Sequence, residues 1–409
     1  MCKESRHRQG QKGALRIPHS ANGRLVFSQG IAANNAIRSL PKEAQSPILG
    51  LNTVCPYYTM FPLDFPLRCL SKADKNAWVL DPFCGRGTTL FAARLLGLGC
   101  VGIDSNPVAV AIAAAKLAHT TADAVIGTVR AILANASFTA PLPEGEFWDI
   151  CYHPKTLTEI CALRERLMES CKTAEEVVLR ALLLGILHGP CRRGLPTYLS
   201  NQMPRTYATK PSAAVRYWRR TQKTEPPRVD VLNAVTRRAE YSLGVMPPPS
   251  RGEVYFGDAQ HTDTMIPAGR RFSWVVTSPP YFGMRTYRQD QWLRNWFLGG
   301  SDTIDYSQDG QLSHSAAKYA GGLAAVWKSV SRRCLPGAWL IVRFGYLPSI
   351  PMDAWEILRT SLKLADAGWV IRRWSDAGSA NNGKRQAKQF GRVIKAAASE
   401  IDCYARLEV

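Results

Sequence analysis

Short apolar runs alternate with helix-period stretches in two separated parts of the chain. The first part opens with Ala77 to Leu80, an unbroken apolar run ending at Asp81, and reads as a buried parallel strand. Helical spacing follows from Leu90 to Leu98, with Gly97 and Gly99 as its stop. Cys100 to Ile103 reads as a second strand that delivers Asp104. Asn106 as a cap and Pro107 in the first turn then start an alanine-rich helix reaching about Leu117. From 118 to 252 the strand rhythm disappears, and helices are predicted over Leu157 to Ser170, Ala174 to Leu187 and Ala213 to Arg220. Pro247-Pro248-Pro249 closes this stretch, which reads as an inserted, mainly helical domain. Strands resume at Glu253 to Phe256 and Phe272 to Thr277, and continue at Ala338 to Phe344, Gly368 to Trp374 and Ile401 to Leu407. A helix near Asp353 to Ala365 and a Trp-faced one over Trp292 to Phe297 lie between them, so the pattern predicts an α/β protein with seven strands.

Between the first strand and helix stands Asp81-Pro82-Phe83-Cys84-Gly85-Arg86-Gly87-Thr88-Thr89. Two glycines one residue apart let a backbone turn tightly and approach a ligand, and Thr88 or Thr89 can cap the following helix. The loop is not the dinucleotide fingerprint, which needs a glycine where Leu90 stands, and no Gly-Lys-Ser/Thr makes it a phosphate loop. Asp104 follows the glycines at the distance where a strand-end carboxylate binds ribose hydroxyls. A strand, glycine loop, helix, strand and acid without phosphate machinery suit a nucleoside ligand that lacks a pyrophosphate, and S-adenosylmethionine is the obvious candidate.

The strand over Phe272 to Thr277 ends in Ser278-Pro279-Pro280-Tyr281. In open α/β sheets ligands bind beyond the carboxyl ends of strands, so this tetrapeptide should face the cofactor. An exocyclic amine is a poor nucleophile because its lone pair delocalises into the ring. Ser278 and the Pro279 carbonyl can accept its two hydrogens, Pro279 and Pro280 fix the turn, and Tyr281 offers a ring for stacking a flipped base.

Charge adds a partner. The net charge is +20, which favours polyanions. It is concentrated: residues 192–251 hold twelve Lys/Arg against three Asp/Glu, with aromatics interleaved around Arg205 and in Arg216-Tyr217-Trp218-Arg219-Arg220. That mixture suits phosphate contacts plus stacking. Residues 368–395 hold seven Lys/Arg against one acid, including Lys384 and Arg385. Arg285 follows Tyr281 in a stretch that can line the substrate mouth. Residues 1–45 are basic and read as an N-terminal arm. The 11 cysteines have no disulfide framework spacing, no apolar run is long enough to cross a membrane, and no signal-peptide core is present, so a reducing cytoplasm is expected. Cys151, His153, Cys161, Cys171, His188 and Cys191 do not fall into paired zinc-ligand spacing, so no metal is expected.

The D-P-F-C-G-R-G-T-T stretch resembles the cofactor motif of the amino-methylating DNA methyltransferases, and Ser278-Pro279-Pro280-Tyr281 is similar to the S-P-P-Y form of their catalytic motif. The resemblance covers about 55 to 117 and 253 to 409. It implies a class I SAM-methyltransferase (Rossmann-like) seven-stranded sheet whose last strand is antiparallel, with a catalytic domain of residues 46–117 and 253–409 around the insertion at 118–252. It also implies that Phe61, Asp81, Phe83, Gly85, Gly87, Thr88, Asp104 and Asp258 bind S-adenosylmethionine, Phe61 at its methionine end and Asp258 at its adenine. The implied activity is methylation of an exocyclic amine in double-stranded DNA. Cytosine N4 is preferred because the S-P-P-Y form is commoner there, while adenine N6 and an RNA base remain alternatives. A DNA-binding protein with a silent methyltransferase core is the alternative of another class. No Pro-Cys pair supports covalent carbon-5 chemistry. A cognate restriction enzyme is a partner the family admits. The insertion precedes the Asp258 strand, unlike the usual family orders, which leaves the target-recognition element open. Function also requires the strand tips near Phe83 and Pro279 to be neighbours.

Overall fold

The computed structural model describes residues 24–28, 47–57, 62–135, 141–189, 198–201, 203, 210–282, 288–304, 315–345, 353–379 and 399–408. Eight strands form one sheet: β1 (Arg24–Ser28), β2 (Trp78–Asp81), β3 (Gly99–Asp104), β4 (Arg251–Phe256), β5 (Phe272–Thr277), β6 (Cys334–Gly345), β7 (Trp369–Ser379) and β8 (Ser399–Leu407). Their order is β1-β4-β3-β2-β5-β6-β8-β7. Neighbours from β4 to β6 run parallel, while β8 is antiparallel to both β6 and β7. The seven expected strands thus take the class I SAM-methyltransferase arrangement.

The eighth strand is an addition to the seven expected. Arg24–Ser28 lies within the basic segment read as an arm, yet it pairs antiparallel with β4, Val26 opposite Glu253. Five residues carry too little alternation to be seen locally, and their partner lies more than two hundred residues away.

Both faces of the sheet are covered, which explains its unbroken apolar strands. Val79, Cys100, Val254, Val276 and Ile341 point to one core; Leu80, Val101, Ile103, Val275 and Val342 point to the other. The first face carries α1 (Asp64–Leu70), α2 (Thr88–Leu95) and α3 (Pro107–Leu117). The insertion supplies α4 (Ala122–Ala134), α5 (Glu146–Cys151), α6 (Pro154–Glu169), α7 (Ala174–Ile186), α8 (Pro211–Arg220) and α9 (Val231–Leu243). The three helices anticipated there are α6, α7 and α8, and α4, α5 and α9 are additional. α10 (Thr262–Met265) and α11 (Arg288–Phe297) follow, and α12 (Ala316–Ser331) and α13 (Ala354–Ala365) cover the second face.

Among the described residues the insertion shares one apolar core with the helices of the first sheet face. Leu90 of α2 and Ile112 of α3 belong to the same apolar cluster as Leu182 of α7, Val235 of α9 and Trp296 of α11. Its two ends are tied by Arg94, whose buried guanidinium donates to the carbonyls of Lys116 and Ala118 at the entry (2.6 and 2.9 Å) and of Pro247 and Pro248 at the exit (3.1 and 2.6 Å). A buried arginine is tolerated because carbonyl oxygens replace its water.

Candidate active site

The glycine loop is built by backbone geometry. Gly85 and Gly87 sit in the left-handed region, at φ 49° and 75°. Gly87 N–H donates to the Cys84 carbonyl at 2.7 Å, closing the turn, and Cys84 N–H donates to Ile103 of β3 at 2.9 Å. A Cβ on Gly87 would meet Ala113 Cβ at 2.9 Å, so that glycine also allows α2 and α3 to touch. A Cβ on Gly85 would meet nothing within 4 Å, which leaves the loop open toward the strand tips. Gly87 takes the cap position of α2 and Thr88 is its first residue, with no side-chain cap. The expected threonine cap is absent because the Thr89 hydroxyl donates across the sheet to the Val276 carbonyl at 3.1 Å.

Asp104 ends β3 under this loop. Its Oδ2 accepts from Gly85 N–H and its Oδ1 from Asn106 N–H, each at 2.8 Å. Burial pushes the carboxyl up to about 6, against these two donors. Asp104 therefore holds the glycine loop in place, in addition to any contact with a ribose. Asn106 caps α3 through Val108 N–H at 3.0 Å, as its sequence suggested, and its amide donates to the Tyr57 hydroxyl at 2.8 Å. Tyr57 was not singled out in the sequence because no local spacing relates it to Asn106.

Asp81 joins this half to the next. It is fully buried, and its Oδ1 accepts from Thr277 Oγ1 at 2.6 Å and Phe83 N–H at 3.2 Å. Its Oδ2 has no partner among the described residues. Burial pushes this carboxyl up to about 6, against bonds from Thr277 and Phe83. Phe83 is half-buried and meets Trp327 edge-on, with ring centroids 6.2 Å apart. β2 and β5 are direct neighbours, Val79 opposite Trp274 and Leu80 opposite Val275. The tip carrying Phe83 and the tip carrying Pro279 are therefore adjacent, as function requires.

A pH consequence follows from Asp81. A carboxyl whose folded value lies near 6 and whose ordinary value is 3.8 binds its proton more tightly when folded. Its contribution to stability is present below 3.8 and is lost as pH rises through about 6. Asp81→Asn keeps an oxygen for Thr277 and removes the charge. The melting temperature of this variant, relative to the wild type, should rise between about pH 4 and 6.5; a constant difference across that range would contradict the assignment.

Beyond β5, Ser278 is half-buried, Pro279 is buried and Pro280 is half-buried. Tyr281 is buried, where sequence suggested a ring open to a base. Its ring meets Phe344 edge-on at 6.0 Å and its hydroxyl donates to Glu400 Oε1. The Tyr319 hydroxyl donates to the Pro280 carbonyl. Two residues past Glu400, Asp402 takes both Arg343 Nε and Nη2 at 2.7 Å in a buried fork. Glu400, Tyr319 and Arg343 were missed because their relation to the S-P-P-Y turn is purely tertiary.

Asp258 lies two residues beyond β4 and is exposed; its Oδ1 accepts from Gln260 N–H at 2.9 Å. Gly257 N–H donates to the Asp104 carbonyl at 3.1 Å, so this acid stands beside the Asp104 tip. On α8, Arg216, Arg219 and Arg220 are exposed around a buried Trp218, and Arg219 pairs with Glu146. Phe61, Arg205, Arg285, Lys384 and Arg385 lie outside the described residues. Among the described residues no His/Cys/Asp/Glu group could hold a metal, nine cysteines are unpaired, and no helix is long and apolar enough to cross a membrane.

No curated protein matches the chain. Among solved structures, an rRNA methyltransferase, AviRa, from Streptomyces viridochromogenes is 14% identical, with 89% of this chain and 93% of that one covered and a TM-score of 0.32. An rRNA methylase from Clostridium thermocellum is 9% identical, with 86% and 100% covered and a TM-score of 0.32. TehB from Haemophilus influenzae is 8% identical, with 86% and 64% covered and a TM-score of 0.32. The DNA methylase family model matches residues 33–115. Those residues include the glycine loop and Asp104, and on that segment the resemblance to the amino-methylating DNA methylases is shown.

Proposed function

We propose that this protein transfers a methyl group from S-adenosylmethionine to an exocyclic amine of a DNA base, cytosine N4 first and adenine N6 second. The observation that carries the reading is the β2–β5 adjacency, with Asp81 bonded to Thr277 at 2.6 Å beneath two loops of complementary chemistry. The residues present fit the cofactor. Gly85 leaves space where a Cβ would stand, Asp81 keeps a buried carboxylate oxygen without a partner among the described residues, and Asp104 and Asp258 present acids at adjacent strand tips. Asp104 and Asp258 would hold the nucleoside, and Phe61 the methionine end. When bound, S-adenosylmethionine supplies a methyl group activated by a sulfonium.

The chain's own residues prepare the acceptor. Ser278 and the Pro279 carbonyl accept the two amine hydrogens, which localises the nitrogen lone pair and aims it toward the glycine loop. The proton that the amine must shed after transfer leaves on that same polar side. Holding the amine in line with the methyl is itself worth several kcal/mol, because the encounter becomes effectively intramolecular. The base reaches the pocket only when turned out of its stack. Tyr281, in the position described here, serves as a fixed wall of that pocket.

DNA is supported by the DNA methylase segment, and the basic chain suits any polynucleotide. Structured RNA is the second reading, since the same chemistry would serve it. Offering duplex DNA and structured RNA together with methyl-labelled cofactor separates them: label in DNA is expected, and label confined to RNA would favour the alternative. Exposed Arg216 and Arg220 are proposed phosphate contacts. Replacing both with alanine should weaken DNA binding and lower the slope of log affinity against log salt by about 2; an unchanged slope would remove α8 from the interface.

A further inference from the structure

A buried carboxylate anchors the S-P-P-Y turn. Glu400 is buried at the start of β8, opposite Gly345 at the end of β6, and its Oε1 accepts from the Tyr281 hydroxyl. Tyr281 spends its single hydroxyl hydrogen on this bond, which ties the turn after β5 to β8.

We propose that Glu400 is a positioning residue for methyl transfer, fixing the place of the S-P-P-Y turn through Tyr281. The inference rests on the amino-methyltransferase reading above. The surroundings reinforce it. Asp402, two residues further along β8, holds Arg343 in a fork at 2.7 Å, which fixes this end of the strand. Tyr319 fixes the Pro280 carbonyl, and its ring stacks on Phe344 at 6.1 Å, so the turn is held from both sides. A phenylalanine at 281 would keep the wall and break the bond to Glu400. Tyrosine at this position therefore does more than stack.

The test compares Glu400→Gln, Glu400→Ala, Tyr281→Phe and the Glu400→Gln/Tyr281→Phe pair in the full chain. It reads single-turnover methyl transfer, cofactor affinity, KM for DNA and the crystal structure of each variant. Glu400→Ala and Tyr281→Phe should each slow transfer about 10- to 100-fold. Cofactor affinity and KM should stay within about twofold, because neither the Glu400 carboxylate nor the Tyr281 hydroxyl touches either ligand and the ring retained in Tyr281→Phe keeps the wall. Glu400→Gln, which retains an acceptor oxygen, should recover much of the rate. The pair should be no slower than Tyr281→Phe alone, since both changes cut one bond. In the Glu400→Ala structure the Tyr281 ring should leave its edge-on place against Phe344. Wild-type transfer in Glu400→Ala, additive losses in the pair, or an unmoved Tyr281 would each overturn the proposal. If the wild type methylates no polynucleotide, the amino-methyltransferase reading fails on its own, and the Tyr281 position still decides whether Glu400 places that ring.

Discussion

Replacing Gly85 with leucine is expected to abolish binding of S-adenosylmethionine, by at least about 100-fold, while the protein still folds. The position is left-handed, at φ 49°, which costs a non-glycine residue about 1–2 kcal/mol. A Cβ there would meet no atom within 4 Å. The leucine would occupy the space proposed for the cofactor. Gly87→Ala provides the contrast: its Cβ would press on Ala113 Cβ at 2.9 Å and Cα at 3.0 Å, so that change must part α2 from α3 and lower stability as well. Calorimetric titration with the cofactor, beside thermal melting, separates the two. Cofactor affinity in Gly85→Leu within about tenfold of wild type would show that the loop is not the cradle.

Ser278→Ala is expected to give the second large effect, a fall in methyl transfer of about 10²–10³-fold, the usual loss when one hydrogen-bonding group aimed at the reacting centre is removed. Cofactor affinity should be unchanged, because Ser278 belongs to the neighbouring tip and not to the glycine loop. A variant that loses affinity and retains its transfer rate at saturation would place Ser278 on the cofactor instead. The effect should exceed that of Glu400→Ala, which acts only through Tyr281.

The local geometry of the glycine-loop tip was legible in the sequence. Asp81, Gly85, Gly87, Asp104 and Asn106 lie within one strand–loop–helix–strand unit, so spacing alone predicts that they converge, and the structure brings them together. Ser278 and its turn were legible for the same reason. What escaped was whatever two distant segments make jointly. β1 is a strand only because β4 offers an edge, and five residues leave no periodic trace of that. Arg94 reads as an ordinary helix arginine until Pro247 and Pro248 are seen to return to it. Glu400 stands just ahead of the strand that pattern predicts from Ile401, and nothing near it in sequence announces Tyr281. The threonine cap failed similarly, because Thr89 had a better partner in Val276 of another strand. Local periodicity records which face of an element is apolar; it does not record which polar groups meet across the sheet.

The most direct test of the paired strand tips is a product analysis. The protein is incubated with methyl-labelled S-adenosylmethionine and duplex DNA of varied sequence, and the DNA is digested to nucleosides. Label in N4-methylcytosine is the expected result, with N6-methyladenine as the other outcome compatible with an amine acceptor. Label at cytosine carbon 5, or no labelled base from protein shown to bind the cofactor, would contradict the account.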